Sequence, residues 1–140
     1  LDVSANAIAV AKENAEQINV KIKFIEADIL IFKSEEKFDI IVSNPPYIRD
    51  LEKSDMHNNV LVYEPHLALF VRDENPLIFY KAIADFGKSH LTASGSIFLE
   101  IHEDYGKDVQ DVFLSDGYLS AEIKKDMQGK ERMACITSTI

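Results

Sequence analysis

Two consecutive prolines that directly follow an apolar run constrain the fold of this chain more than any other feature. The run Phe38-Asp39-Ile40-Ile41-Val42-Ser43 has the composition of a buried strand, and Asn44-Pro45-Pro46-Tyr47 comes next. Because proline has no backbone N–H to donate to a neighbouring strand, the strand must stop there. The sequence therefore predicts a strand that ends at a fixed point, with Asn44 held close to its carboxyl end.

Strand-like and helix-like segments alternate along the chain, a pattern typical of βαβ units around a parallel sheet. Ser4 is the predicted N-cap of a first helix that runs to about Ile18. The inward face of this helix should contain Ile8, Ala11, Ala15 and Ile18, which recur at helical spacing.

Two further helices are expected later in the chain. One begins at Pro76, with Asn75 as its cap, and runs to about His90, and the other runs from about Asp104 to Leu114. The inward side of the helix at 76–90 should be formed by Ile78, Phe79, Ala82, Ile83 and Phe86. Short strands are predicted at residues 1–3, from 20 to about 28, at 97–101, at 118–123 and at 132–140, with a turn at 94–95.

The stretch from Ile48 to Asn75 has little periodicity. Stretches of this size without regular structure in a compact domain are usually functional. A disordered insertion is the alternative, but the stretch is rich in apolar and aromatic residues, which argues against it. We therefore expect a loop that faces the substrate.

Composition limits the possible partners. The formal charge of −9 would repel phosphates, which favours a protein or small-molecule substrate over nucleic acid. No apolar run approaches the roughly 20 residues that span a membrane. The first residues lack the basic and apolar regions of a signal peptide. The single cysteine suits a reducing compartment, so we expect a cytoplasmic protein. The four histidines lie far apart in sequence, and we predict no metal site.

Three polar residues fall at the carboxyl ends of predicted strands, where ligands bind in an open α/β sheet. They are Asp2, Asp28 and Asn44. A carboxylate in such a position can accept hydrogen bonds from the hydroxyls of a ribose or from the amino group of an adenine. Each aspartate could instead simply cap the following helix, but the three together are more specific.

Asn44-Pro45-Pro46-Tyr47 is the strongest chemical signal. The side-chain oxygen of Asn44 and the carbonyl of Pro45 can accept both N–H bonds of a planar –NH₂ group, against which Tyr47 can lie. Such a nitrogen is a poor nucleophile because its lone pair is delocalised. Polarising and orienting it in line with an activated methyl group is what methyl transfer requires. A strand that merely ends at prolines is the simpler interpretation.

The run from Phe38 to Ile48 resembles motif IV of the amino-nitrogen methyltransferases. Tyr63-Glu64-Pro65-His66-Leu67-Ala68-Leu69 is similar to an element of the HemK/PrmC family, which methylates the glutamine of the Gly-Gly-Gln motif in peptide-chain release factors. Leu1 to Ala7 resembles the ribose-binding segment of that family, and Glu26-Ala27-Asp28 its adenine-side segment. Asp126 to Arg132 resembles its late Asp…Gly…Arg element.

The resemblance implies a fold, a cofactor and a partner. The fold is a Rossmann-like α/β methyltransferase fold, with a mostly parallel sheet and an antiparallel last strand. The methyl donor is S-adenosyl-L-methionine, and the partner is a release factor. The resemblance assigns cofactor contacts to Asp2, Asp28, Ile29 and Asn44. It assigns the substrate amide to Asn44, Pro45, Pro46 and Tyr47, with Glu64 as a brace of the loop.

One departure from the family pattern matters. The glycine-rich first motif, the strand before it and the N-terminal helical domain are absent from this sequence. We therefore expect residues 1–140 to form a single catalytic domain that is truncated at its N-terminus. Unpaired inner strands should then make the chain associate with itself, bind cofactor poorly, or both.

Two alternative functions are open. An N6-adenine methyltransferase on DNA or RNA shares the Asn-Pro-Pro-Tyr chemistry and flips its base to reach the site. The segment from Tyr63 to Leu69 and the negative charge speak against it. A non-catalytic remnant of the fold is the other alternative, which the intact Asn44 to Tyr47 motif opposes.

Overall fold

The computed structural model describes residues 1–138, except for the side chains of Asp55 and Asn58. The chain forms two compact units, Leu1–Ser34 and a larger one that begins at Glu35. None of the described helices is long and apolar enough to cross a membrane.

The first unit contains helix α1, Ala5–Gln17. Its predicted start is confirmed, because the Ser4 hydroxyl accepts a hydrogen bond from the backbone N–H of Ala7 at 3.2 Å. Ile8 and Ala15 are buried as expected. The prediction for Ile18 is wrong, because Ile18 lies past the last helical turn and is 70% exposed.

The predicted strand from residue 20 to about 28 is wrong. Among the described residues of the first unit, this segment makes only one bridge, a parallel pairing of Asp2 with Glu26. The Asp2 N–H donates to Ile25 O at 3.1 Å, and the Ala27 N–H donates to Asp2 O at 2.9 Å. The alternating pattern of residues 20–24 therefore gives an extended segment, since a strand also needs a partner ladder.

The second unit is built on a mixed sheet. Its strands are β1 (Phe38–Ser43), β4 (Leu91–Glu100), β5 (Ser120–Lys125) and β6 (Glu131–Thr137). Among the described residues their spatial order is β1-β4-β6-β5. Strand β1 is parallel to β4, whereas β6 is antiparallel to both β4 and β5. In this sheet only β6 therefore runs against the other three, as expected for the last strand.

Strand β1 occurs where it is predicted, but it is not buried. Ile40 is 60% exposed and Val42 is 74% exposed. In the sheet of the second unit, β1 is an outer strand that pairs with β4. The apolar sequence of β1 is typical of parallel strands, which are usually covered on both faces. In this structure the side chains of Ile40 and Val42 are instead exposed.

The turn predicted at residues 94–95 is a bulge inside β4. Phe38 pairs with Leu91 and Ile40 with Ser96, so β4 advances further than β1 between these pairs. A Cβ at Gly95 would lie 2.9 Å from Leu91 Cδ2. The glycine therefore permits a close approach within one strand, and the strand is longer than predicted.

Helices α4 (Ile78–His90) and α5 (Gly106–Ser115) supply much of the core. Helix α4 begins two residues later than predicted, and Leu77 rather than Asn75 is its N-cap. Its buried side is also rotated from the predicted one, so that of the predicted residues only Ile83 is fully buried. The buried residues of α4 are Tyr80, Ile83, Ala84 and Gly87.

The segment predicted to be a long loop contains short regular elements. They are β2 (Ile48–Arg49), a 3-10 helix (Asp50–Asp55), α2 (Asn58–Tyr63), α3 (His66–Leu69) and β3 (Phe70–Val71).

Helix α5 and strand β5 each begin two residues later than predicted, and β6 ends at Thr137. Residues 139–140, predicted as strand, lie outside the described part of the chain.

Candidate active site at the carboxyl end of strands β1 and β4

The Asn44-Pro45-Pro46-Tyr47 motif lies where β1 ends, next to the end of β4. Ser43 is opposite Leu99 in the parallel ladder, and Glu100 is the last residue of β4. Because both strands run in the same direction, the residues that follow them emerge at the same edge of the sheet. Asn44 is exposed there, Pro45 is buried, and Pro46 and Tyr47 are half-buried.

Tyr47 is tied to Glu100. Its hydroxyl donates a hydrogen bond of 2.6 Å to Glu100 Oε1. Burial and the Glu100 carboxylate together raise the pKa of Tyr47 to about 12, although the positive charge of Arg132 acts in the opposite direction. The phenol is therefore protonated at neutral pH and donates its proton to the carboxylate, which leaves the ring as the part that can meet a substrate.

The backbone of Glu100 is fixed by the core. Glu100 pairs with Met133 of β6, and its carbonyl accepts a hydrogen bond of 3.3 Å from the Tyr80 hydroxyl. Tyr80 is fully buried in α4. Burial raises the pKa of Tyr80 well above its usual range, so this hydroxyl also stays a donor. A continuous path of contacts thus runs from the core through Glu100 to Tyr47.

His102 links the end of β4 to the segment that follows the motif. Its Nε2 lies 3.0 Å from Glu52 Oε2, and its Nδ1 accepts from the Asp104 N–H at 3.2 Å. A nitrogen that accepts needs a free lone pair, so the ring proton is on Nε2 and is donated to Glu52. The ring also meets that of Tyr47 at an edge-on angle, with 6.0 Å between the centroids.

Arg49 and Glu52 complete this cluster. Arg49 Nε donates to Glu52 Oε1 at 2.8 Å, and the Arg49 N–H donates to the same oxygen at 3.2 Å. Burial acts to raise the pKa of Glu52, but the hydrogen bonds from Arg49 outweigh it and the pKa is lowered. We call Tyr47, Glu100, His102, Glu52 and Arg49 the Tyr47 network, which holds the chain on the far side of the two prolines.

The sequence predicts that Glu64 braces the same loop. It follows α2, its side chain is exposed, and its N–H donates to Val60 O at 3.0 Å. Its bracing role stays a prediction. Nearby side chains are strongly exposed for apolar residues, with Val62 at 70%, Tyr63 at 80% and Leu67 at 69%.

Asp2 and Asp28 lie together in the first unit. The bridge between Asp2 and Glu26 places both aspartates at the carboxyl ends of neighbouring parallel segments. Asp2 Oδ1 accepts from the Ser4 N–H at 2.8 Å, and Asp28 Oδ1 accepts from the Leu30 N–H at 2.9 Å. These turns orient both carboxylates, and a carboxylate can accept further hydrogen bonds. Ile29 is half-buried beside Asp28.

A family model described as the methyltransferase small domain matches residues 1–70, half of the chain. The chain belongs to this family. A release factor glutamine methyltransferase from Flavobacterium psychrophilum is 44% identical over 134 residues, which are 95% of this chain and 47% of that protein. One of the same name from Lactococcus lactis is 44% identical over 138 residues, which are 96% of this chain and 50% of that protein. The resemblance to the HemK/PrmC family is thereby confirmed.

Among solved structures, the methyltransferase from Pyrococcus furiosus is similar in fold, with a TM-score of 0.68. The alignment covers 99% of this chain and 60% of that one, at 20% sequence identity. This likeness confirms the Rossmann-like α/β methyltransferase fold. The chain spans about half the length of the curated relatives it matches.

In this methyltransferase domain, sequence reasoning missed Glu100, His102, Glu52 and Arg49. The first of these could have been found, because Glu100 is a carboxylate at the end of an apolar strand, the same signal that identifies Asp2, Asp28 and Asn44. His102 and Glu52 had no such signal. Their pairing joins residues that are 50 positions apart in sequence, so it depends on the fold.

Proposed function

We propose that the whole protein transfers a methyl group from S-adenosyl-L-methionine to the side-chain amide nitrogen of a glutamine, in the Gly-Gly-Gln motif of a peptide-chain release factor. The observation that carries the proposal is the Asn44 to Tyr47 motif at the shared carboxyl edge of β1 and β4, with the Tyr47 ring held by Glu100. The names of the two relatives support the same substrate.

The carboxylates of the first unit fit the methyl donor. Asp2 and Asp28 follow neighbouring parallel segments, and each is oriented by a turn. Asp2 would hold the ribose hydroxyls, and Asp28 with Ile29 the adenine end. Asn44 is a further proposed contact of the donor. The donor supplies a methyl group activated by a positive sulfur.

The acceptor amide is held by the motif itself. Asn44 Oδ1 and the Pro45 carbonyl would accept its two N–H bonds, which draws electron density towards the nitrogen and fixes its direction. Pro45 and Pro46 restrict the backbone, so these oxygens need little reorganisation. Tyr47 would pack its ring against the flat amide.

The leaving proton goes to water. The amide nitrogen would gain the new N–CH₃ bond as the bond between the methyl group and the sulfur of the donor breaks. One N–H proton of the nitrogen would pass to water after the transfer, so no base of the motif is needed. Tyr47 is unsuited to take this proton, because its hydroxyl is already a donor to Glu100 and its pKa is raised to about 12. The proposed role of Tyr47 is therefore to position the acceptor amide.

The test is transfer of a labelled methyl group by the whole protein. We expect label on a release factor, and no label on a release factor whose Gly-Gly-Gln glutamine is replaced by alanine. DNA and ribosomal RNA should stay unlabelled, which suits a chain of formal charge −9. Label on adenine would contradict the proposal and favour the N6-adenine alternative, and absence of label on every substrate would favour a non-catalytic remnant.

A further inference from the structure

The Glu100 carboxylate holds the Tyr47 hydroxyl in a defined place, and Arg132 also interacts with this hydroxyl. At 2.6 Å, its bond to Glu100 Oε1 is short, as expected when the acceptor is ionised. The tie joins residues 53 positions apart in sequence. It is therefore a tertiary contact that fixes a motif side chain from outside the motif.

Glu100 is itself unusually well fixed for a residue at a strand end. Its backbone pairs with Met133, and its carbonyl accepts from the fully buried Tyr80. Neither β4 nor α4 can move without disturbing the core, so the backbone from which the Glu100 carboxylate extends is fixed. A surface glutamate whose carboxylate is only hydrated by water would not need these contacts.

The rest of the Tyr47 network restrains the ring on another side. The His102 ring meets it edge-on and is itself held by Glu52 and by the Asp104 N–H. The ring of Tyr47 is thus restrained at its hydroxyl and by the neighbouring His102 ring. A free tyrosine ring rotates about two side-chain bonds, so these restraints select one orientation out of several.

We propose that Glu100 is a positioning residue of the methyl-transfer site, which acts by tethering the Tyr47 hydroxyl so that the ring face meets the acceptor amide in the reactive orientation. This inference rests on the proposed function. It assigns to Glu100 no contact with the donor or the amide. Its effect should therefore fall on kcat, because a misaligned amide still binds but reacts more slowly.

The activity test compares two replacements of Glu100 in the whole protein. Glu100→Gln keeps an oxygen that can accept from the phenol, so we expect kcat to stay within about 3-fold of wild type. Glu100→Leu removes the acceptor, so we expect kcat to fall on the order of 10-fold or more, with KM for the methyl donor nearly unchanged. Glu122→Leu is the matched control, because Glu122 lies in β5 of the same sheet and pairs with Lys124 at the surface.

The tether also predicts that effects of the two residues are not additive. Tyr47→Phe keeps the ring but loses the hydroxyl, so it should lower kcat about as much as Glu100→Leu does. In the Tyr47→Phe background, Glu100→Leu should cause little further loss. Independent losses that multiply would overturn the proposal, as would a folded Glu100→Leu protein with wild-type kcat.

A second measurement tests the tether without activity. Replacing Tyr47 with 3-fluorotyrosine allows its hydroxyl titration to be followed by ¹⁹F NMR, since the fluorine makes the phenol more acidic. We expect Glu100→Gln to lower the pKa of this phenol, and Glu122→Gln to leave it unchanged. An unchanged titration in Glu100→Gln would overturn the tether even if methyl transfer is normal. Wild-type protein that transfers no methyl group would contradict the proposed function instead, and the NMR titration would still decide on the tether.

Discussion

The residues on either side of Asn44 fix its position at the end of β1. The ladder between β1 and β4 fixes Ser43, and Pro45 cannot extend that ladder. The side chain of Asn44 is left exposed at the sheet edge, where it can reach a ligand. An amide has both a donor and an acceptor, so its value to an incoming –NH₂ group depends on the oxygen being turned towards it.

Replacing Asn44 with alanine should therefore affect chemistry more than folding. Because the removed group is exposed, we expect the midpoint of thermal unfolding to stay near that of wild type. Methyl transfer should fall on the order of 100-fold, as it does when one oriented catalytic hydrogen bond is lost. Asn75→Ala is the matched control, because Asn75 is also an exposed asparagine of the second unit. Near-normal turnover by folded Asn44→Ala protein would remove this residue from the mechanism.

At the scale of the elements, α4 packs closely against Tyr118 and against Ile97 of β4. A Cβ on Gly87 would lie 2.2 Å from the Tyr118 hydroxyl oxygen and 2.7 Å from Ile97 Cδ1. The Tyr118 hydroxyl donates to Ala84 O at 2.7 Å, one turn earlier in the same helix. Glycine is a poor helix residue, so its presence here reflects the space that Tyr118 needs.

We expect Gly87→Ala to destabilise the fold in spite of the better helix propensity of alanine. Overpacking costs about 1–3 kcal/mol, and the gain in propensity returns at most about 1 kcal/mol. Chemical denaturation monitored by circular dichroism measures the difference. In a Tyr118→Phe background the clash with the hydroxyl is gone, so the same substitution should cost less. An equal cost in both backgrounds would show that Tyr118 is not the cause.

These elements also show how far sequence reasoning reaches. The Ser4 cap, the end of β1 and helices α4 and α5 follow from local chemistry, and each occurs within about two residues of its predicted place. The buried side of α4 was mispredicted, because Tyr80 turns inward once Glu100 O offers its hydroxyl an acceptor. Exposure of β1 was mispredicted too, because burial of a strand depends on neighbours that its own sequence does not specify.

At the scale of the whole molecule, buried phenols make stability depend on alkaline pH. Burial is the main cause that raises the pKa of Tyr47, Tyr80 and Tyr118. An unfolded tyrosine titrates near pH 10, so the folded chain holds these protons more strongly than the unfolded chain. Their contribution to stability is therefore complete below about pH 10 and is lost as the pH rises through the folded values.

We expect the free energy of unfolding to fall as the pH is raised from about 10 to about 11.5. Denaturant titrations at each pH measure this dependence. Tyr47→Phe removes one of the shifted groups, so its stability should decline less steeply over the same range. Tyr63→Phe is the control, since Tyr63 is 80% exposed. The same slope in Tyr47→Phe and wild type would contradict a perturbed phenol at position 47.

In the described sheet, the spatial strand order β1-β4-β6-β5 differs from the order in which the strands are synthesised. A ribosome makes β5 before β6, yet in the described sheet β5 reaches β4 only through β6. Until residues 131–137 leave the exit tunnel, β5 has no ladder to join, and Glu100 lacks its pairing with Met133. The contacts of Glu100 with Tyr47 and Tyr80 do not involve β6, but its backbone pairing is complete only once β6 has been made.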